Sequence, residues 1–311
     1  MSFFLSMTVG DSKIGCSLQY HQEHPYTHAA AGGWARTNLP GAVPDADDTA
    51  GALIALRNLR LSDKGVINSA IAGLNWLLGL RNHDGGIPTF CRGWTALPFD
   101  RSAPDLTAHT VAAIGAWLDV LPVSVPRQMC RAIKGGLAYL ERVQKADGSW
   151  VPLWFGNQFA PNQENPVYGT ARVLIGLCRY TAGGLSSVCE PMVRKGTRWL
   201  VSTQNQDGGW GGAKSVRSTI EQTALSVDAV TEFLEFEIRN SSPAGQDSRL
   251  EVLQAISHGV SWLIEQTEQG RSVAASPIGL YFARLWYFEE LYPVIFTVSA
   301  LQKIRNLYSV K

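Results

Sequence analysis

Asp45, Asp47 and Asp48 fall within four consecutive residues, directly ahead of an apolar helical run. Three carboxylates so close repel one another when charged, so at least one is expected to hold its proton unusually tightly. A carboxylic acid kept protonated in a low-dielectric pocket can serve as a general acid. The same residues also read as a helix start. Asp45 after Pro44 is a good N-cap, and acids in the first turn suit the helix dipole, which lowers their pKa. Taken alone, the segment leaves capping and acid catalysis both open.

The elements that must position these groups recur along the chain. Asp47-Asp48-Thr49-Ala50, Asp105-Leu106-Thr107-Ala108, Tyr168-Gly169-Thr170-Ala171 and Glu221-Gln222-Thr223-Ala224 align on their Thr-Ala pair, at intervals of 58, 63 and 53 residues. Each Thr-Ala opens an apolar helical run, so one structural position is filled by Asp47, Asp105, Tyr168 and Glu221, with His109 one turn on from Asp105. Between them lie second helical stretches over Val66–Leu80, Gln128–Lys145, Met192–Gln206 and Leu250–Gln266, each with one aromatic at a matching point: Trp76, Tyr139, Trp199 and Trp262. Gly-rich breakers follow at Gly85-Gly86, Gly148-Ser149-Trp150 and Gly208-Gly209-Trp210, and Gly33-Trp34 is the tail of an earlier copy. Glycine after a helix supplies a left-handed cap. The Gln or Asn before each breaker and the Trp after it are expected to lock one outer helix to the next. Strand signals are nearly absent. The pattern predicts an all-α fold, an (α/α)-barrel toroid of about five to six helix-pair repeats in which the repeated positions converge.

Composition agrees with a single domain over residues 1–311. Hydrophobic residues make up 45% of the chain and charged residues 17%, below the ~25% of ordinary soluble domains. Ten tryptophans suit either a packed core or an aromatic-lined cavity. A net charge of +1 without a basic stripe speaks against nucleic acid. Cys16, Cys91, Cys130, Cys178 and Cys189 are odd in number and lack CxxC spacing, which suits reduced thiols and a cytoplasmic protein. No signal peptide is visible, no apolar run reaches transmembrane length, and Asn240–Ser248 reads as a polar loop.

Asp45-Ala46-Asp47-Asp48-Thr49-Ala50 resembles the DxDDTA motif of the squalene–hopene cyclase family, the class II terpene cyclases. Gly32-Gly33-Trp34 stands at that family's spacing upstream. Ser102–His109 resembles its second active-site segment. Asp147–Trp154 with Tyr168-Gly169-Thr170 resembles its DGSW…W…YGT stretch, residues 195–210 resemble a QW repeat, and Tyr281–Ala300 resembles its final inner helix. The resemblance covers nearly the whole chain. Family members usually carry two helical domains, and the chain has room for the catalytic one; it is therefore most similar to the single-domain, meroterpenoid-forming members.

The resemblance implies a carbocation cascade on an isoprenoid. Asp47 would protonate the terminal alkene, Asp45 and Asp48 would hold it, and His109 would hydrogen-bond it and raise its acidity. For His109 alone, a satisfied core histidine is the ordinary alternative. Aromatic faces would stabilise the migrating charge. The candidates are Phe90 and Trp154, which take cavity positions of the family, with Tyr168, Phe282 and Trp286; Leu285 falls where the family often has tyrosine. Asp105 completes the candidate site. The implied substrate is a farnesylated hydroxybenzoic acid, with squalene or a prenyl diphosphate as the alternative. Arg36 stands where a cavity phenylalanine is usual, and is either a surface residue or, with Arg172, a partner for the aryl carboxylate. No DDxxD or NSE-type metal motif is present and protonation-initiated chemistry needs none, so no cofactor is expected. The one expected partner is a small-molecule isoprenoid, with peripheral membrane association as in full-length cyclases.

Two other classes share such repeats. A six-hairpin glycosidase would use Asp47, Asp105 or Glu221 as acid and base. A non-catalytic scaffold that binds a lipid or a partner protein has no need of three carboxylates beside a matched histidine.

Overall fold

Helix starts follow the capping residues. In the computed structural model, which describes residues 19–309 except 26–27, 38, 40–41, 60–63, 91–97, 122–125, 180–185, 241–245 and 281–283, Asp45 is extended (φ −133°, ψ 168°) and its Oδ1 accepts the Asp48 amide at 2.8 Å. That bond launches α1 (Ala46–Asn58). Proline at the first helical position, where no N–H is needed, opens α3 (Pro104–Trp117) and α5 (Pro166–Arg179). The chain divides into two compact units, Met1–Arg142 and Val143–Lys311.

In the first unit, α1 packs against α3 and against α2 (Lys64–Leu80). Helix α3 is buried almost all round, as an inner helix must be. On α2 the buried residues Val66, Ala70, Gly73, Leu74, Leu77 and Leu80 form a single stripe. Trp117 Nε1, at the end of α3, donates to Leu53 O in the middle of α1 at 2.9 Å, and Arg57 Nε in the last turn of α1 donates to Ala116 O at 2.8 Å. Helix α4 (Pro126–Val143) lies outside α3, and its Gly136 meets Val111 and Thr107.

The second unit is organised around α7 (Ile220–Asn240), which is buried along most of its length. It packs against α5, α6 (Ser186–Ser202), α8 (Gln246–Gln266) and α9 (Leu291–Ser309). Three short antiparallel strands complete this unit in the order β1 (Phe155–Gly156), β2 (Pro277–Leu280), β3 (Leu285–Phe288), with Phe155 opposite Leu280 and Gly279 opposite Trp286.

The repeated Thr-Ala pair has a structural purpose. Thr49, Thr107, Thr170 and Thr223 each accept, through Oγ1, the backbone N–H that follows a glycine breaker, from Trp34, Ile87, Trp150 and Trp210 at 2.9–3.0 Å. The glutamines lock neighbouring helices. Gln144 Nε2 donates to Gly148 O and Met192 O, and Gln204 Nε2 to Gly208 O and Ala255 O. The indoles of Trp34, Trp150 and Trp210 lie on Gly73, Gly196 and Gly259. Gly85 and Gly148 adopt φ of +90° and +107°, and a Cβ there would lie 2.4 and 2.6 Å from the carbonyls of Gly135 and Lys195. Only glycine meets both demands.

Three expectations change. The stretch Tyr281–Ala300, expected as one helix, contains strand β3, and α9 begins only at Leu291. Leu285-Trp286-Tyr287-Phe288 is rich in aromatic residues, which favour strands, and four residues are too few to display an alternation. The polar loop expected over Asn240–Ser248 is shorter, because α8 starts at Gln246. Helix α6 starts at Ser186 and ends at Ser202, not over Met192–Gln206. No helix among the described residues is long and apolar enough to cross a membrane.

Candidate active site

The first turn of α1 presents the three carboxylates in different settings. Asp45 is committed to the cap. Burial, then the neighbouring charge of Asp48 and a side-chain hydrogen bond with it, push its pKa well above the ordinary carboxylate value. Burial and the charge of Asp47 also raise Asp48, against the opposing pull of its bond with Asp45 and of nearby Arg36. Asp45 and Asp48 thus behave as a pair that favours holding a proton. Asp47 points the other way. Its side chain is 34% exposed, and its Oδ1 lies 2.6 Å from Nδ1 of His109, whose side chain is 13% exposed. The chain therefore joins an accessible carboxyl to an imidazole from the second turn of α3.

Around this pair, the Ala46 N–H donates to Thr89 O at 2.7 Å, which sets half-buried Phe90 beside the start of α1. The Asp45 N–H donates to Trp34 O at 3.1 Å, and Ala35 pairs with Pro44. Arg36, the next residue, is exposed. Asp105 is buried in the first turn of α3. Its charge, after burial and Asp84, helps to raise the pKa of Tyr139, whose hydroxyl donates to Ser102 O at 2.7 Å. So Asp47 and His109 are joined by a direct contact, with Asp45 and Asp48 in the same first turn of α1 and Phe90 and Arg36 beside it, while Asp105 lies buried in the first turn of α3.

In the second unit, Tyr168 is buried in the first turn of α5, its amide donating to Asn165 Oδ1 at 3.1 Å. Trp154 is half-buried just before β1, Trp286 is half-buried in β3, and Arg172 is half-buried one turn beyond Tyr168. Phe282 lies outside the described residues. Glu221, at the same repeat position as Asp47, is buried and clamped by Ser276, whose N–H and Oγ donate at 2.7 and 2.6 Å. Burial raises its pKa even so.

Sequence reasoning overlooked three rings. Phe155 lies 4.9 Å from Tyr168 and 6.5 Å from Tyr292 between centroids, and Tyr292 lies 5.2 Å from Phe296. No spacing rule connects residues 155, 168 and 292. It also overlooked a buried ion network. Lys303 donates to Asp228 and Glu232, Arg179 donates to Glu232 and lies 3.8 Å from Asp228, and Ser299 Oγ donates to Asp228 at 3.1 Å. Its signal was present: Asp228 and Glu232 stand four apart, on one face of a helix that is buried along most of its length.

Residues 20–306 match the family model described as "Squalene-hopene cyclase C-terminal domain". The chain is 30% identical over 304 residues to a squalene–hopene cyclase of Bradyrhizobium diazoefficiens, covering 89% of this chain and 41% of that protein. It is 33% identical over 202 residues to a drimenyl diphosphate synthase of Streptantibioticus cattleyicolor, covering 64% of this chain and 33% of that protein. The chain thus spans about two fifths or less of the length of these relatives. Its fold is similar to that of the type II terpene cyclase MstE from Scytonema, solved in complex with merosterolic acid A, with a TM-score of 0.63 and 18% identity over 92% of this chain and 78% of that chain.

Proposed function

Because this chain belongs to the squalene–hopene cyclase C-terminal domain family, we propose that it is a protonation-initiated, class II terpene cyclase. The observation that carries this reading is the 2.6 Å contact between Asp47 and His109, beside two carboxyls whose pKa values are raised. In the proposed first step, an Asp47 oxygen delivers its proton to the terminal alkene of an isoprenoid chain. The alkene π electrons form the new C–H bond and leave a tertiary cation. The Asp47 carboxylate left behind is stabilised by a hydrogen bond from His109 Nδ1 and by the N-terminus of α1. Asp45 and Asp48, holding a proton between them, add less negative charge beside Asp47 than two ionised carboxylates would. Alkenes along the folded chain then attack in turn, and loss of a proton ends the cascade. Phe90 in the first unit and Trp154, Tyr168, Phe282 and Trp286 in the second are each proposed to offer an aromatic face to the migrating charge. Asp105 is proposed to support the second active-site segment that carries His109.

For the substrate, we propose a farnesylated hydroxybenzoic acid converted to a polycyclic meroterpenoid. MstE is described in complex with geranylgeranyl dihydroxybenzoate as its substrate, with a TM-score of 0.62 and 16% identity over 92% of this chain and 79% of that chain. That likeness motivates the aryl group, while a drimenyl diphosphate synthase among the relatives favours a fifteen-carbon chain. Squalene or a prenyl diphosphate is the second reading, favoured by the names of the relatives at about 30% identity. Arg36 and Arg172 are the proposed partners of the aryl carboxylate, which would be costly to bury alone. The proposal treats residues 1–311 as one cyclase domain, and a family match running from 20 to 306 supports that.

The test is incubation of the purified protein in D₂O with farnesyl and geranylgeranyl hydroxybenzoates, squalene and farnesyl diphosphate. Products would be separated by chromatography and weighed. A cyclised isomer carrying one deuterium, formed from a farnesyl hydroxybenzoate, is expected. Product from squalene or the diphosphate alone would replace the aryl reading with the second one. No deuterium-bearing cyclised product from any substrate would overturn the proposed reaction.

A further inference from the structure

Glu221 fills in α7 the repeat position that Asp47 fills in α1. The two carboxyls are used differently. The Asp47 side chain is 34% exposed and meets an imidazole. Glu221 is 4% exposed, and both of its oxygens are taken by one residue. Oε1 accepts the Ser276 N–H at 2.7 Å, and Oε2 accepts the Ser276 hydroxyl at 2.6 Å. Two charge-assisted bonds from one residue to one carboxylate fix its orientation as well as its distance.

The clamped residue is the last before β2. Residues 272–276 form neither helix nor strand, so no regular backbone ladder carries the position of α8 into β2. The strand takes its starting point from the first turn of α7, through Glu221. Strand pairing then passes that placement on. Pro277 stands opposite Phe288 and Gly279 opposite Trp286, three residues past the clamp. The approach at Gly279 is close, since a Cβ there would overlap the carbonyl oxygen of Leu285. Ile278 between them is buried, while Trp286 is only half-buried. Register matters here, because a slip of one residue turns every side chain of a strand to its other face.

We infer that Glu221, acting through Ser276, is a positioning residue that sets the β2–β3 hairpin, and with it Trp286, against the first turn of α7. Its effect on turnover rests on the proposed cyclase reaction. Loss of the clamp frees the hairpin from α7 and moves the Trp286 ring. A ring out of place stabilises a passing cation less, and that loss is felt in the transition state and not in substrate binding, so kcat falls while KM stays. Glutamine is a conservative replacement on this account. Its amide oxygen accepts the Ser276 N–H, and its amide N–H donates to the Ser276 hydroxyl oxygen, because a hydroxyl accepts as well as donates. Alanine removes both bonds.

The test compares wild type, Glu221→Ala, Glu221→Gln and Ser276→Ala, each made with and without Trp286→Phe. The fluorescence difference within each pair reports Trp286 alone. It is expected to shift to longer wavelength in Glu221→Ala, where the indole meets more water, and to match wild type in Glu221→Gln. Kinetics with whichever isoprenoid the wild type cyclises should show kcat lowered about tenfold in Glu221→Ala, since a small misplacement costs up to about a hundredfold, with KM changed less than threefold. Glu221→Gln should stay near wild type, and Ser276→Ala, which keeps the N–H, should fall between. Circular dichroism reports folding, and if Glu221→Ala does not fold, Ser276→Ala decides. An unmoved Trp286 spectrum in the folded variants would overturn the inference while leaving the cyclase reading in place. So would a Glu221→Gln variant as impaired as Glu221→Ala, which would mean that the residue supplies charge and not position. A wild type that forms no cyclised product would remove both.

Discussion

His109 Nδ1 and Asp47 Oδ1 are 2.6 Å apart, a contact that joins the second turn of α3 to the first turn of α1. The two helices are also tied toward their opposite ends, by Arg57 Nε to Ala116 O and by Trp117 Nε1 to Leu53 O. The proposed acid and its proposed modulator are thus carried on two helices, not on loops, an arrangement that favours a fixed geometry.

On the proposed reaction, Asp47→Asn should abolish cyclisation, with a loss of at least ~10³-fold, since general acids contribute roughly 10²–10⁴-fold. The amide keeps the shape and lacks an acidic proton, so far-ultraviolet circular dichroism should not change. His109→Ala should cost about 10²-fold by itself and almost nothing in the Asp47→Asn background, because residues that act as a unit are not additive. Turnover by Asp47→Asn within tenfold of wild type would remove Asp47 as the proton donor.

Asp45 gives a second expectation, with a definite sign. Its carboxyl binds a proton more tightly in the folded protein than at the ordinary value of 3.8, through burial and then the charge of Asp48. The stability it contributes is therefore fully present below pH 3.8 and is lost as pH rises through its raised folded value. Asn at position 45 still caps a helix and carries no charge. Asp45→Asn should raise the melting temperature relative to wild type more at pH 8 than at pH 5. Equal differences at the two pH values would show that Asp45 bears no excess proton affinity.

Much of this was legible in the sequence because repetition exposes geometry. The Thr-Ala pairs marked the N-terminal ends of α1, α3, α5 and α7, though α6 and α8 start ahead of their expected positions, and the DxDD segment with its matched histidine pointed to the Asp47–His109 contact. What was not legible depends on contacts between distant residues. Nothing in positions 221 and 276 announces a carboxylate clamped by a serine. The strands at 277–280 and 285–288 are too short to show a period of two, and the likeness to an inner helix concealed them. Phe155 meets Tyr168 only in the folded chain, ring against ring at 4.9 Å between centroids.

The clamp threonines can be tested at Thr223. Its hydroxyl is the acceptor for the amide of Trp210 at 2.9 Å, in a fully buried setting. Thr223→Val keeps the volume and orphans that amide, at a cost of about 1–3 kcal/mol. Thr223→Ser retains the acceptor and should cost less. Urea denaturation of both variants checks this. A valine variant as stable as wild type would mean that the repeated threonine is not a clamp.

The ion network of the second unit gives the opposite pH sign from Asp45. Burial alone would raise Asp228, but Lys303 and Arg179 outweigh it and hold its carboxyl below the ordinary 3.8. The stability it contributes is therefore present above its unfolded value and is lost as pH falls through the folded one. Lys303→Met leaves Asp228 and Glu232 sharing Arg179 alone, and breaking a buried pair costs about 3–5 kcal/mol. The Asp228→Leu, Lys303→Met double variant should recover a large part of that loss, because an apolar pair needs no desolvated charge. The double variant should also lose less stability than wild type between pH 5 and pH 3. Denaturation at both pH values decides it: if Lys303→Met costs under ~1 kcal/mol, well below the cost of a broken buried pair, then α9 is held by its apolar contacts and not by the network.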